Sequence, residues 1–181
     1  GLGVIVMEPL RGGNLARGVP EAIMRIWGES PSGLSPAAWA LRWVWDHPEV
    51  GVVLSGMTTE SDLEENLATA ELGTSNSLTG AERDMVRRVA EEYRDRMRVG
   101  CTGCRYCLPC PAGVNIPECF NRYNMAFMFD DLEKARSTYP VFLKPEARAS
   151  ACVKCGACEE KCPQNLPIRE HLESVADLLE R

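Results

Sequence analysis

The sequence predicts an α/β region followed by an α-helical region, and three observations carry that expectation. Two continuous apolar, β-favouring runs, Val4–Met7 and Val50–Leu54, flank a strong amphipathic helix signal. All nine cysteines lie between Cys101 and Cys162, with none in the first hundred residues. All four lysines, Lys134, Lys144, Lys154 and Lys161, also fall in the second half. The composition therefore shifts near Val99-Gly100, which divides the chain into residues 1–99 and 100–181.

Overall composition excludes several classes. A chain of 181 residues accommodates one domain or two small ones. With 45% hydrophobic and 25% charged residues, an ordinary packed core is within reach. The net charge of −6, from 20 basic and 26 acidic residues, leaves no electrostatic footprint for nucleic acid. The longest apolar stretch, Pro36 to Trp45, is interrupted by Arg42 and falls short of the roughly 18 residues of a membrane span. The chain opens on Gly1-Leu2-Gly3-Val4 without a basic leader, so nine cysteines point to thiolate chemistry in a reducing, cytoplasmic setting rather than to a secreted disulfide scaffold. That opening, lacking Met, reads as the C-terminal part of a longer chain.

In the first region, neither apolar run alternates with polar residues, the pattern of parallel strands covered on both faces. Between them Ser35 is the expected N-cap, with Pro36 at the first helical position. Ala37, Leu41, Val44 and Trp45 form the inward stripe, Trp39 and Trp43 widen it, and His47-Pro48 ends it. A helix from about Glu60 to Ala70 follows, with Thr59 and Asp62 as a capping pair; another runs from about Gly80 to Arg98, opened by Thr79 and Glu82. Met85 or Val86, Val89, Tyr93 and Met97 face inward. The expected order is β-α-β-α-α, two βα units whose open sheet edges call for partner strands preceding residue 1. Gly1-Leu2-Gly3 lacks the third glycine and the helix of a dinucleotide fingerprint. His47 complements a helix dipole, and His171 reads as solvated.

These residues bring a resemblance into view. Gly3-Val4-Ile5-Val6-Met7-Glu8-Pro9-Leu10, the Trp39–Pro48 helix, and Val53-Leu54-Ser55-Gly56-Met57 through Asp62-Leu63-Glu64-Glu65-Asn66 resemble the end of an aldo-keto reductase. The resemblance implies the last two βα units of a (β/α)8 TIM barrel, whose late loops commonly bind phosphate. It implies a nicotinamide dinucleotide, NADH or NADPH, held by Leu10, Gly12, Met57, Glu65 and Asn66. In many members a Lys and an Arg meet the 2′-phosphate, where this sequence has Gly56 and Asp62; that substitution disfavours NADPH. Met7 stands where many members stack an aromatic on the nicotinamide. The family's catalytic Asp, Tyr, Lys and His come from the barrel's first half, so no catalytic residue is assigned here. The missing barrel half is an expected partner.

The second region holds Cys101-Thr-Gly-Cys104-Arg-Tyr-Cys107-Leu-Pro-Cys110-Pro111 and Cys152-Val-Lys-Cys155-Gly-Ala-Cys158-Glu-Glu-Lys-Cys162-Pro163. The second run fits C-x2-C-x2-C-x3-C-P, the bacterial ferredoxin pattern for a [4Fe–4S] cluster. Small residues in the wraps, Gly103, Gly156 and Ala157, let backbone amides approach the sulfurs. The first run departs by having two residues rather than three between Cys107 and Cys110. Helices are expected from Pro117 to about Phe129, from Asp130 to Arg136, and from Ile168 to Leu179, with Pro140 and Pro145 breaking the chain between. Cys119 falls outside both runs and reads as a buried thiol. The whole resembles an α-helical ferredoxin-like domain with two [4Fe–4S] clusters. By analogy with two-cluster ferredoxins, one cluster takes Cys101, Cys104, Cys107 and Cys162, and the other takes Cys152, Cys155, Cys158 and Cys110.

The resulting expectation is an iron–sulfur oxidoreductase in which the clusters relay electrons between a redox carrier and a redox site in the barrel. A flavin would fit the change from two-electron to one-electron chemistry, although no motif marks one. The alternatives are a non-catalytic electron-transfer or docking module and a structural zinc domain, whose usual paired C-x2-C knuckles match these runs poorly.

Overall fold

The computed structural model describes residues 2–181. It is a mixed α/β chain, mostly helical, with one small parallel sheet. It divides into two compact units, Gly1–Arg94 and Asp95–Arg181.

In the first unit β1 (Val4–Val6) pairs in parallel with β2 (Val50–Val53), in register Val4↔Val50, Ile5↔Val52 and Val6↔Val53. Between the strands lie α1 (Glu21–Trp27) and α2 (Pro36–Trp45); after them come α3 (Glu60–Leu72) and α4 (Gly80–Asp95). The order is therefore β-α-α-β-α-α among the described residues, with α1 additional to the expected set. That helix is seven residues long, follows Pro20 and has no side-chain cap, so little in its sequence announces it. It is fixed by packing: Ile23 is fully buried, and Trp27 stacks on Trp39 with ring centroids 5.5 Å apart and planes 3° from parallel.

Helix starts follow their caps. Ser35 Oγ accepts from the Ala38 amide at 3.0 Å, and Thr59 Oγ1 accepts from the Asp62 amide at 3.1 Å. Thr79 and Glu82 form a reciprocal box: each backbone amide donates to the other's side chain, at 2.7 and 3.2 Å. Three expectations for this unit are corrected. The strands are not covered on both faces: Ile5 is 61% and Val52 46% exposed. The buried face of α2 is Ala38, Trp39, Leu41, Arg42 and Val44, whereas Trp43 is exposed and meets His47 edge-on. Helix α4 ends at Asp95, which leaves Met97 outside it.

The second unit packs α5 (Ile116–Met128), α6 (Leu132–Phe142) and α7 (Ile168–Leu179) around Phe120, Tyr139, Leu143, Ile168, Leu172 and Val175. Two short 3-10 turns, Pro145–Ala147 and Ala149–Ala151, lead into the second cysteine run. Here α6 outruns its expected end at Arg136, and Pro140 lies inside its last turns rather than breaking it. The stop comes at Leu143-Lys144, before Pro145. His171 is only partly solvated: it is half-buried, edge-on to Phe120 with centroids 5.9 Å apart.

Candidate metal centre

Both cysteine runs fold into the same backbone wrap. In the first, residues two and four places after the leading cysteine, Gly103 and Arg105, have φ of 70° and 67°; in the second, Lys154 and Gly156 have 58° and 82°. Glycine adopts this left-handed region freely, while Arg105 and Lys154 pay a strain of about 1 kcal/mol or more for it. The conformation turns an amide toward sulfur. The Gly103 N–H donates to Cys101 Sγ and the Lys154 N–H to Cys152 Sγ, each at 3.4 Å. Amides so placed offset negative charge on a metal-bound sulfur.

The correspondence continues past each Cys-Pro step. Gly113 and Asn165, each three residues beyond the fourth cysteine, have φ of 83° and 50°. Their amides donate back to Cys110 O and Cys162 O at 2.9 and 3.0 Å. Helices α5 and α7 then begin on equivalent isoleucines, Ile116 and Ile168. The paired turn positions are a feature the sequence reading missed. Their signal is present as Cys-Pro-x followed by Gly or Asn, the residue types that tolerate a left-handed conformation.

The wraps create two cavities. Cys101, Cys104 and Cys107 from the first run and Cys162 from the second line one of them, together with Ile116, Pro117, Phe120 and Ile168. Cys152, Cys155 and Cys158 from the second run and Cys110 from the first line the other, with Ile116, Arg169 and Leu172. Cys104 and Cys155 sit at exposed rims, and Cys158 is buried. Among the described residues no three His, Cys, Asp or Glu side chains converge on a single-ion site. The thiols instead ring hollows with largely apolar walls, an arrangement that suits a group with several metal atoms reached from several sides.

Without metal, the buried thiols are held protonated, so a metal group must displace their protons on binding. Burial pushes the Cys107 thiol up, and neighbouring Cys101, Cys158 and Cys104 add to the effect. Burial likewise raises Cys158, helped by Glu159, Cys152 and Cys110. Four thiolates around one apolar hollow repel each other, so only a positive centre makes their joint deprotonation favourable. Upstream of the first run, buried Asn124 holds the chain: its Oδ1 accepts from the Arg98 and Val99 amides at 3.0 and 2.9 Å, and its Nδ2 donates to Val99 O at 2.8 Å. That anchor lies two residues before Cys101.

Residues 100–166 match the sequence model of the 4Fe-4S dicluster domain, and residues 1–77 match that of the Aldo/keto reductase family. The chain joins aldo/keto reductase sequence to a 4Fe-4S dicluster domain. It is thus of an iron–sulfur, metal-binding oxidoreductase kind. No curated protein and no solved structure matches it. No described helix is long and apolar enough to cross a membrane.

Within the reductase segment, the residues that the resemblance implies for a nucleotide lie on the loops after β1 and β2 and in the middle of α3. Leu10 is half-buried in a turn that includes Gly12, with φ of 65°. Met57 is 41% exposed and Glu65 is exposed, while the Asn66 amide donates to Ser55 Oγ at 3.0 Å. Arg17, just beyond the first turn, donates to Asp62 Oδ2 at 2.7 Å and so ties that loop to the first turn of α3. That guanidinium, with hydrogen bonds from Thr59 and Thr58, holds the Asp62 carboxyl below its ordinary value.

Proposed function

We propose that the dicluster domain holds two [4Fe–4S] clusters, one in each cavity, with the fourth ligand of each coming from the other cysteine run. The observation that carries this reading is the crossed lining: Cys162 stands with the first run's three cysteines and Cys110 with the second's. Missing one residue between Cys107 and Cys110 does not prevent Cys110 from lining the second cavity. A bound [4Fe–4S] cluster supplies one-electron storage and transfer.

The chain's own residues define the rest. The Gly103 and Lys154 amides offset negative charge on sulfur, and Ile116, Phe120, Ile168 and Leu172 limit water at the cavity walls. Exposed Cys104 and Cys155 mark the sides from which a one-electron carrier approaches. In this reading residues 1–99 are the last units of a (β/α)8 barrel, and residues 100–181 form a helical ferredoxin-like domain that relays electrons to or from a redox site in that barrel. Exposure of Ile5, Met7, Val52 and Leu54 supports further βα units packing over the sheet. Leu10, Gly12, Met57, Glu65 and Asn66 would hold a nicotinamide dinucleotide, and the negative Asp62 favours NADH over NADPH.

Crossed ligation is tested by variants of the full chain reconstituted anaerobically with iron and sulfide. Cys162→Ala, although in the second run, is expected to perturb the same paramagnetic signal as Cys104→Ala; Cys110→Ala is expected to perturb the signal affected by Cys155→Ala. Grouping of Cys162 with Cys155 instead would refute the crossed arrangement.

A further inference from the structure

The internal repeat makes the two cavities comparable position by position. With Ile116 aligned on Ile168, the next helical residue is Pro117 on α5 and Arg169 on α7, and the fifth is Phe120 or Leu172. These positions line their own cavities in both halves. The repeat therefore places an apolar ring at the first cavity where it places a guanidinium at the second.

Arg169 is also tightly held. Its Nε donates to Glu159 Oε2 at 2.9 Å, its Nη2 lies 2.7 Å from the same oxygen, and its backbone amide donates to Glu159 Oε1 at 2.9 Å. Glu159 directly follows Cys158, so the brace ties α7 to the cysteine wrap. The guanidinium rests against Gly156 inside that wrap: a Cβ added there would lie 3.8 Å from Arg169 Cζ and 3.9 Å from Nη1. At the equivalent place in the first wrap stands Arg105, which is exposed and makes no ion pair among the described residues. Both cavities thus have an arginine in their lining, but only Arg169 is held in place by a carboxylate, whereas Arg105 is unbraced.

We infer that Arg169, positioned by Glu159, sets the reduction potential of the group in the second cavity without setting that of the first. The inference rests on the two-cluster reading above. Reduction adds one negative charge, so a fixed cation at the wall stabilises the reduced form by Coulomb attraction, and a carboxylate opposes it. Partial exposure of the Arg169 side chain, 47%, screens the effect without removing it. Removing the cation therefore lowers the potential, and neutralising its carboxylate partner raises it.

The test is a redox titration of the full reconstituted chain with dithionite and mediators, following the paramagnetic signal of each reduced cluster. Signals are assigned to cavities with Cys104→Ala and Cys155→Ala. Arg169→Gln is expected to change the oxidised-to-reduced ratio of the second-cavity signal about tenfold at fixed potential, a downward shift of about 59 mV for one electron. Glu159→Gln is expected to shift the same signal upward, and Arg169→Lys to restore most of the wild-type value. The first-cavity midpoint stays in place throughout. A merely structural ion pair would lower stability or iron content and leave both midpoints unchanged, which overturns the inference; equal shifts of both signals overturn it as well. If Arg169→Gln loses its cluster, Glu159→Gln decides alone, because it keeps the guanidinium. A wild-type chain that binds fewer than two clusters is recognised separately by its iron content, and then the underlying reading fails and the inference with it.

Discussion

Cys119 and Asp46 show how burial gives opposite outcomes to two ionisable groups. Cys119 is fully buried, its Sγ 3.6 Å from Ala147 O and accepting from the Tyr139 hydroxyl at 3.5 Å. Burial pushes its thiol up to about 12, so it is neither a nucleophile nor a ready metal ligand. Brief iodoacetamide treatment of the native chain should leave Cys119 unmodified by mass spectrometry, with labelling only after denaturation; rapid native labelling would contradict its placement. Asp46 is also buried, which by itself raises its pKa. The Leu78 amide at 2.8 Å and the Arg83 guanidinium at 3.0 Å outweigh that and hold it low. Its contribution to stability is present above the ordinary aspartate value of 3.8 and is lost as pH falls below that value toward the lowered folded one. Asp46→Ala should cost about 1–3 kcal/mol at neutral pH in urea unfolding, because the buried Leu78 amide loses its acceptor. It should also flatten the acid limb of the stability profile.

Among elements, the best-signalled helices were those with a chemical reason to begin. Ser35-Pro36, Thr59 and Thr79 with Glu82 each satisfy amides that would otherwise be unpaired, and the helices start where those caps stand. Ser35→Ala should cost about 1 kcal/mol, readable as a lower urea midpoint for the first unit. Helix α1 was not legible, since its seven residues are held by Trp27 stacking on Trp39 rather than by a local signal. The strands stay exposed within the described residues for a related reason: a continuous Val-Ile-Val run states what a strand could pack against, not what covers it. At the metal site the two cysteine runs were legible as a 4Fe-4S dicluster pattern; the crossed pairing came only by analogy with two-cluster ferredoxins. The Gly113 and Asn165 turns and the Asn124 clamp were not legible, because their roles depend on contacts between distant segments. Asn124→Ala leaves the buried Val99 amide without its acceptor, and a loss of about 2–3 kcal/mol in the second unit is expected. Faster iron release from the same variant would tie the clamp to the cysteine wrap.

For the molecule as a whole, two units of different chemistry share one chain. In the reductase segment Arg17 and Asp62 tie the loop after β1 to the first turn of α3, and titration of the protein with NADH and NADPH should show preference for NADH. Tighter NADPH binding would contradict the reading of Gly56 and Asp62. The dicluster domain is built as a repeat in which each half completes the other's cavity, so the domain should lose its order when iron and sulfide are stripped, as a structure stapled by its metal groups does. The central claim is that eight cysteines form two such sites. Anaerobic reconstitution of the full chain, followed by iron and acid-labile sulfide analysis, tests it most directly. The account predicts a brown protein with about eight iron and about eight sulfide per chain; a colourless protein carrying zinc alone, or one that saturates at about four iron, would contradict it.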